Sequence, residues 1–475
     1  MGEVSESPGQ SLRKTLGLRD MVLLNISCIV SFTSIAQVAQ FGYGSIFLYL
    51  LAIAAYLIPS GIVVAELNAR IPEQGGFYIW VREAFGDFHG YMAAWSYWLC
   101  NVVWLPTTLI LISMAGLYMI EGEFSAATED TTYNGIIFLV ILWIITFLNI
   151  VGLEKAKWVQ NVGAIASWAV IAFLLIAGIY YVIVYGSAHP FQPYRLMPDL
   201  SNFAILPFFA IVAFCFGGLE LGPVMAGEVK NPTKNIPRAI FLSAIAVGII
   251  YIAGTSMLIV TIPEGGIREI DGAVQAFHMV GEATGWPILG IIGATVVILS
   301  TLGLFGAWLV GNARMPFVVG IDHYLPAAFG KLHPKYGSPY VALLVQAAVL
   351  SLLFLSFIVG ASMFEGFMIL LDMSIILYFL PILYIFAAFL KLVILKRNED
   401  QSMFGILKSN RSLVWIIGGI GFLITFVSMV MSAIPTGEIE HKWSFPLKVV
   451  GGAVILLSCG LVMYVRRQNE LRKTG

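Results

Sequence analysis

The sequence predicts an all-α membrane protein that crosses the bilayer about twelve times. Three observations indicate this class: 59% of the 475 residues are hydrophobic, only 11% are charged, and the mean hydropathy is +0.89. A water-soluble domain carries roughly 25% charged residues. The apolar runs have about the 17–25 residues that a spanning helix needs, whereas the strands of a membrane barrel alternate over about ten residues.

Twelve apolar runs follow one another along the chain. Their predicted limits are 21–42, 44–65, 91–118, 135–152, 160–185, 203–226, 239–262, 286–312, 340–360, 366–390, 412–434 and 449–465. Residues 1–20 are polar and lack the order of positive charge, apolar run and small residues that marks a signal peptide. We therefore expect the first run to be retained as a span, with 1–20 and 466–475 as terminal segments.

The basic residues indicate the orientation. With a cytoplasmic N-terminus, every Lys and Arg falls on the cytoplasmic side except Arg195, Arg268, Lys442 and Lys448. Cytoplasmic loops of membrane proteins are enriched in Lys and Arg. The sequence therefore predicts a multi-pass protein of the plasma or inner membrane with both termini in the cytoplasm.

Two carboxyl groups lie well inside the apolar runs, Glu220 in the sixth and Asp372 in the tenth. A carboxylate at the centre of a spanning helix costs about 2.5–3.5 kcal/mol on insertion scales, so it needs a partner, a wet cavity or a function. The functional interpretation is proton coupling or the binding of a cationic group. The alternative is a protonated carboxyl that only hydrogen-bonds a neighbouring helix.

Helix-breaking residues surround Glu220 in the sixth run. Gly217 and Gly218 precede it, and Gly222 and Pro223 follow it. These residues weaken a helix, so the sixth span is predicted to break into two half-helices. A break in mid-membrane is tolerated only beside protein or a water-filled cavity, where half-helix ends can hold charged substrate groups. The alternative is a packing notch made by small residues.

The first run is the expected partner of that break. It has no proline, and no glycine before Gly42, but Ser, Thr, Cys, Asn and Gln residues are frequent between Asn25 and Gln40. Ser and Thr hydroxyls can satisfy freed backbone groups and so allow a helix to unwind without glycine. A polar stripe that faces other helices explains the same residues equally well.

Motifs at three separated places carry a family resemblance. They are Ala65–Trp80 after the second run, Gly227–Pro232 with Ile236–Ile240 after the sixth, and Gly306–Arg314 with Leu325–Pro326 in and after the eighth. In this order, over nearly the whole chain, they resemble the amino acid–polyamine–organocation superfamily of transporters. Asn101–Thr107 and Asp372 resemble its glutamate–GABA antiporter subgroup. The chain departs from the superfamily at Val30-Ser31-Phe32, where relatives have a Gly-Ser-Gly-like element.

The resemblance implies a leucine-transporter-like fold with a five-plus-five inverted repeat. Residues 21–185 would hold the first five spans, 203–390 the second five, and 412–465 two extra helices.

The resemblance also implies a midplane substrate site between the broken first and sixth spans. A substrate carboxylate would bind near Ile29, Val30 and Ser31. A substrate amine would bind near carbonyl groups around Phe214 and Cys215, beside Gly217 and Gly218. The aromatic residues expected to close over the substrate are Phe214, Phe216, Trp308 and Tyr384.

Composition and motifs argue against other classes of protein. The net charge of −1 provides no basic field for nucleic acid. The six histidines have no metal-ligand spacing, and no Gly-rich phosphate loop occurs. We therefore expect no enzyme activity, no cofactor and no metal.

The combined observations predict a secondary active transporter for amino acids or related amines. It would work by alternating access, linked to protons or by exchange, with the lipid bilayer and the small-molecule substrate as its partners. No apolar run contains Lys or Arg, which favours neutral or cationic substrates. The alternative is a sensor or receptor that keeps the transporter fold and binds amino acids without net transport.

Overall fold

Helices make up most of the described chain. The computed structural model describes residues 14–123, 131–151, 153–198, 203, 205–321, 324–357, 363–395, 403, 404, 407, 410–434 and 444–474. Within these ranges, nine helices are long and apolar enough to cross a bilayer, and one bent pair of helices makes a tenth candidate. The predicted all-α polytopic fold is confirmed.

Each of the twelve predicted spans coincides with a helix or with a broken pair of helices. The helices are α1 (Leu18–Ile29), α2 (Phe32–Ala39), α3 (Gly44–Arg70, with a π-helical turn at Ile53–Leu57), α4 (Phe77–Phe85), α5 (Asp87–Glu121), α6 (Thr131–Val151), α7 (Leu153–Tyr185), α8 (Ile205–Cys215), α9 (Leu221–Val224), α10 (Pro232–Thr261), α11 (Gly272–Thr284), α12 (Ile288–Ile321), α13 (Tyr340–Phe357), α14 (Met363–Leu395), α15 (Arg411–Met431) and α16 (Ser444–Thr474). Helices α4 and α11 lie between predicted spans.

The first and sixth spans are both interrupted. Helix α1 ends at Ile29, Val30 and Ser31 are extended, and α2 begins at Phe32 with a bend of 46°. In the sixth span, α8 ends before the glycine pair and α9 resumes at Leu221. The interruptions predicted from the polar first run and from the glycines of the sixth are present.

Helices α5 and α14 form the centre of the bundle. Most of their side chains are buried, whereas only about a quarter of the side chains of α15 and α16 are buried. Helices α7 and α12 meet at Gly163 and Gly303, where a Cβ on Gly163 would lie 2.4 Å from the Cα of Gly303. Such backbone contact through small residues is typical of membrane helix packing.

The helices extend beyond their apolar runs, and two of these extensions carry buried arginines. Arg70 at the end of α3 contacts Glu66, with 2.8 Å between Nε and Oε1. Arg314 in α12 binds Glu228 through Nε to Oε1 (2.8 Å) and Nη2 to Oε2 (3.2 Å). The absence of Lys and Arg thus holds for the predicted runs but not for the helices. Paired charge is what allows these arginines to be buried.

A short backbone bridge joins the N-terminal segment to the chain after the sixth span. The amides of Thr15 and Leu16 donate to the Glu228 carbonyl, each at 3.0 Å. The Lys230 amide donates to the Leu16 carbonyl at 2.8 Å, and Leu16 and Val229 pair in parallel. This bridge and the Arg314–Glu228 pair close one end of the bundle.

Candidate functional site

The two interruptions face a common cavity of about 20 Å³. Six of the residues predicted from the sequence line it: Ile29, Ser31, Phe214, Cys215, Gly217 and Trp308. Seven further residues complete its wall: Cys28, Ser34, Cys100, Asn101, Trp104, Tyr251 and Tyr378. This volume is close to that of a single water molecule, so an amino acid enters only if the wall separates.

Tyr251 from α10 bridges the interruption of the first span. Its hydroxyl donates to the Ile29 carbonyl at 2.8 Å and accepts from the Ser31 amide at 3.3 Å. Ser31 also caps α2, because its Oγ accepts from the Ser34 amide at 3.3 Å. The N-terminus of a helix carries a partial positive charge and free amides. The start of α2 can therefore bind a substrate carboxylate at the cavity.

The glycine pair allows the sixth span to approach its neighbours closely. A Cβ on Gly217 would lie 2.6 Å from the Tyr378 ring. Gly218 has φ +124°, and a Cβ there would lie 3.0 Å from Cγ1 of Ile29. Only glycine adopts this backbone region readily. The two glycines therefore bring the interrupted spans into contact.

Glu220 lies behind the cavity, and both of its carboxylate oxygens accept hydrogen bonds. Its Oε1 accepts from the hydroxyls of Tyr97 (2.9 Å) and Tyr378 (3.0 Å), and its Oε2 accepts from the Gly218 amide (3.2 Å). An ionised carboxylate only accepts hydrogen bonds, whereas a protonated one also donates. Protonation would therefore rearrange the bonds to the two tyrosines and to the interruption of the sixth span.

Asp372 has different surroundings and does not join this cluster. It is buried in α14, and its Oδ2 has no hydrogen-bond partner among the described residues. It precedes Tyr378 by six residues, about 9 Å along a helix axis. The structure thus places the two carboxyl groups predicted for proton coupling at separate locations.

The predicted closing aromatics divide into two groups. Phe214 and Trp308 lie at the cavity, and the Trp308 Nε1 donates to the Cys28 carbonyl at 2.5 Å. Phe216 packs instead behind it, edge-on against the rings of Tyr49 and Tyr251.

Tyr384 lies outside the cavity wall. Its hydroxyl hydrogen-bonds Nδ1 of His89 at 3.0 Å, and its ring contacts Phe85. The tyrosine of α14 at the cavity is Tyr378. Six residues turn an α-helix by about 240°, so the two tyrosines of this helix face in different directions.

Asn101 is the clearest site residue that the sequence prediction missed. Its Nδ2 donates to the Tyr97 carbonyl (3.0 Å) and to Asn312 Oδ1 (3.3 Å), while its buried Oδ1 has no partner within the described chain. An orphaned acceptor in a cavity wall is suited to a substrate N–H group. The sequence signal for Asn101 was that it is a lone amide side chain inside the apolar third run. Tyr251, Tyr378 and Trp104 gave no comparable signal.

The cavity wall contains no formal charge. Arg70 and Arg314 form ion pairs with Glu66 and Glu228 outside the cavity. Glu220 does not line the cavity. Among the described residues, no group of three His, Cys, Asp or Glu side chains is arranged to hold a metal ion. The site can therefore offer helix ends, amide groups and aromatic faces to a small polar molecule.

Comparison with known proteins identifies the family. The model of the family described as amino acid permease matches residues 16–455, which is most of the chain. The chain belongs to the amino acid permease family. Its predicted membership of the amino acid–polyamine–organocation superfamily is confirmed, and the name of the family is that of a transporter.

Three relatives match the permease over most of their length. It is 29% identical to an uncharacterized transporter of Legionella pneumophila, over 94% of this chain and 95% of the relative. It is 24% identical to a probable agmatine/putrescine antiporter of Lactococcus lactis, over 94% of each chain. It is 23% identical to a glutamate/gamma-aminobutyrate antiporter of the same organism, over 90% of this chain and 86% of that one.

Proposed function

We propose that the permease is a secondary active transporter that moves an amino acid or a related amine across the cell membrane by alternating access. The observation that best supports this is the meeting of two mid-membrane helix interruptions at one small cavity. A substrate carboxylate would bind at the start of α2, near Val30 and Ser31. The amino group of the substrate would bind near the end of α8 and near the Oδ1 of Asn101, which has no partner within the described chain.

We also infer that the interrupted spans each begin one of two inverted repeats, 21–185 and 203–390, followed by the helix pair of 412–465. Alternating access then means that the two repeats move relative to each other around the cavity. The cavity of about 20 Å³ supports this, because binding requires the wall to open.

Neutral or cationic substrates suit this site better than glutamate. No described basic side chain lines the cavity to pair with a second carboxylate. The relative named as a probable agmatine/putrescine antiporter fits this preference. Of the two compounds in the name of the glutamate/gamma-aminobutyrate antiporter, gamma-aminobutyrate, which is net neutral, fits it and glutamate does not. We therefore place amines and neutral amino acids first among candidate substrates.

A counterflow screen tests the function. Purified permease in liposomes, loaded with unlabelled amino acids or amines, is expected to accumulate the matching radiolabelled compound, whereas protein-free liposomes are not. Binding of a compound without any counterflow would favour the alternative, a sensor with a transporter fold.

Proton linkage is proposed to run through Glu220. Glu220→Gln is expected to preserve folding and to remove the pH dependence of substrate flux between about pH 5 and 8. This range is chosen to include the pH at which a buried carboxyl group takes up or releases its proton. The reason is geometric: glutamine keeps an acceptor for the tyrosines but places a donor against the Gly218 amide, as a protonated acid does. Flux is measured in proteoliposomes at each pH.

Asp372→Asn is the matched control for that experiment, because it removes the other carboxyl predicted inside the spans. A Glu220→Gln permease with the pH profile of the unaltered protein would refute the role of Glu220. Loss of pH dependence in Asp372→Asn alone would assign proton coupling to Asp372 in α14 instead.

The orientation with cytoplasmic termini is likewise a proposal that single cysteines can test. The exposed Cys459 is first replaced, since Cys28, Cys100 and Cys215 are buried. A cysteine at Tyr194 is then expected to react with an impermeant reagent from outside the cell, and one at Lys335 only after permeabilisation. The reverse pattern contradicts the topology.

A further inference from the structure

An apolar cavity of about 110 Å³ lies between α5, α12 and α16, near the end of the bundle that the backbone bridge closes. On α5 its wall extends from Tyr91 to Trp98, which is about 10 Å along the helix axis. Met315 and Val319 of α12 and Met463 of α16 form other sides. We call it the side cavity, and it shares no wall residue with the central cavity.

The wall of the side cavity consists of carbon surface. The Tyr91 hydroxyl and the Trp98 Nε1 are buried and expose no surface to it, and the Trp95 Nε1 donates to the Leu456 carbonyl at 3.1 Å. A buried water needs two to four polar partners, which this wall does not offer. An empty space would deprive the lining atoms of dispersion contacts. An apolar group is therefore the occupant that suits the cavity.

The side cavity opens on the face of the bundle that lipid covers. Met463 is its exposed wall residue, with 38% of its surface accessible, and Phe329 and Val345 of the neighbouring α13 side are half-buried. Helix α16 has few side chains buried by protein. Because α16 spans the membrane at this opening, the apolar molecules that reach the cavity are the lipids of the adjacent leaflet.

Basic residues lie one helical turn beyond the opening, toward the end of α16. Arg466 follows Met463 by three residues and Arg467 by four, so both project from the same face of the helix as Met463. Lys331 follows Phe329 by two residues, and Arg466 and Lys331 are exposed. Arg467 contacts Glu470, with 2.7 Å between Nη1 and Oε2. The edge of the opening therefore carries a net positive charge.

A cluster of tyrosines marks the depth of this edge. The Tyr464 ring stacks on Tyr324 with 5.3 Å between centroids, and it contacts Tyr91 at 5.1 Å. Tyrosine is enriched where a membrane protein crosses the level of the lipid head groups. The cavity thus lies at the depth of the acyl chains, and Arg466 lies at the depth of the head groups.

We infer that the side cavity binds one acyl chain of an anionic phospholipid, whose head group contacts Arg466 and Lys331. Lipid tails are as apolar as leucine, so burial of the chain alone does not select one lipid over another. The charge selects it, because Lys and Arg near a membrane surface attract anionic head groups. The bound chain would hold α16 against α5. This inference does not rest on the proposed transport.

Fluorescence quenching tests the position of the chain, because Trp95 and Trp98 line the cavity and bromine atoms on a lipid chain quench the tryptophans that they contact. The permease is reconstituted in phosphatidylcholine vesicles with increasing fractions of dibrominated phosphatidylglycerol or dibrominated phosphatidylcholine. The cavity signal is the difference between the unaltered permease and Trp95→Phe/Trp98→Phe. We expect half of this signal to be quenched at a mole fraction about tenfold lower for phosphatidylglycerol.

Three substitutions address the two parts of the lipid. Arg466→Gln and Lys331→Gln are each expected to raise the phosphatidylglycerol fraction for half-quenching about fivefold, the effect of one basic residue near a membrane surface. Ala94→Leu puts a larger side chain into the cavity and should abolish the preference.

Two matched controls should leave the preference unchanged. Arg411→Gln removes an exposed basic residue at the start of α15, and Ala172→Leu enlarges an exposed side chain of α7.

Equal quenching of the cavity signal by the two brominated lipids would overturn the proposal. A preference that survives in Arg466→Gln/Lys331→Gln would overturn it too, as would the same preferential quenching in Trp95→Phe/Trp98→Phe. If Ala94→Leu is not recovered folded, the two exposed basic substitutions test the proposal without it. A lack of counterflow would contradict the proposed function and leave this result unaffected, because quenching is measured without transport.

Discussion

Replacing Gly218 with leucine is expected to abolish substrate binding at the cavity between the two interrupted spans while the permease still folds and reaches the membrane. At φ +124° a side chain is strained, and its Cβ would lie 3.0 Å from Ile29 Cγ1 and 3.3 Å from Cys28 Sγ. The backbone strain alone costs about 1–3 kcal/mol for a residue other than glycine. The leucine side chain must also enter the cavity wall, which prevents the first and sixth spans from meeting.

Binding is measured by equilibrium dialysis with the substrate that counterflow identifies, and folding by size-exclusion chromatography and thermal unfolding. Gly218→Ala, which has the strain but little of the bulk, should weaken binding by about tenfold or more, since each 1.4 kcal/mol is a factor of ten. Gly419→Leu is the matched control because a Cβ at Gly419 meets nothing within 4 Å. Unchanged affinity in Gly218→Leu would mean that the glycine pair is only a packing notch.

Arg314→Met is expected to cost about 3–5 kcal/mol of folding stability, because it leaves the carboxylate of Glu228 buried without its charged partner. The pair is bidentate, and the Arg314 Nη1 also donates to the Val310 carbonyl at 2.6 Å. The pair joins α12 to the segment after the sixth span. Its loss should also open that end of the bundle.

Two measurements follow that prediction. Chemical unfolding reports stability, and the reactivity of a cysteine at the buried Met225 reports opening. The double variant Glu228→Gln/Arg314→Met should recover part of both effects, since no buried charge remains there. Arg467→Met in the exposed Arg467–Glu470 pair is the control, with an expected change below about 1 kcal/mol. Equal effects of the buried and exposed substitutions would contradict the proposed joining role.

The fold was predictable because its signals are local in sequence. The length of each apolar run is sufficient to predict a span, and the glycines and proline beside Glu220 are sufficient to predict an interruption. The cavity wall was less predictable, because α14 is apolar on all sides and its pattern does not tell whether Tyr378 or Tyr384 faces inward.

Contacts between distant segments lay beyond sequence reasoning. Arg314 and Glu228 are 86 residues apart, and the Tyr251 hydroxyl meets Ile29 across 222 residues. The sequence does not indicate these pairings, and only packing of the helices brings the residues of each pair together.

The backbone bridge between the N-terminal segment and the chain after the sixth span allows hydrogen exchange to report whether that end of the bundle is open or closed. The amides of Thr15, Leu16 and Lys230 are protected from hydrogen exchange only while that end is closed, because each donates to a carbonyl across the bridge. Deuterium uptake at these three amides, followed by mass spectrometry, therefore measures the fraction of molecules open at that end. No label or substitution is needed, so the conformational balance can be compared across substrates, pH values and lipids in the native chain.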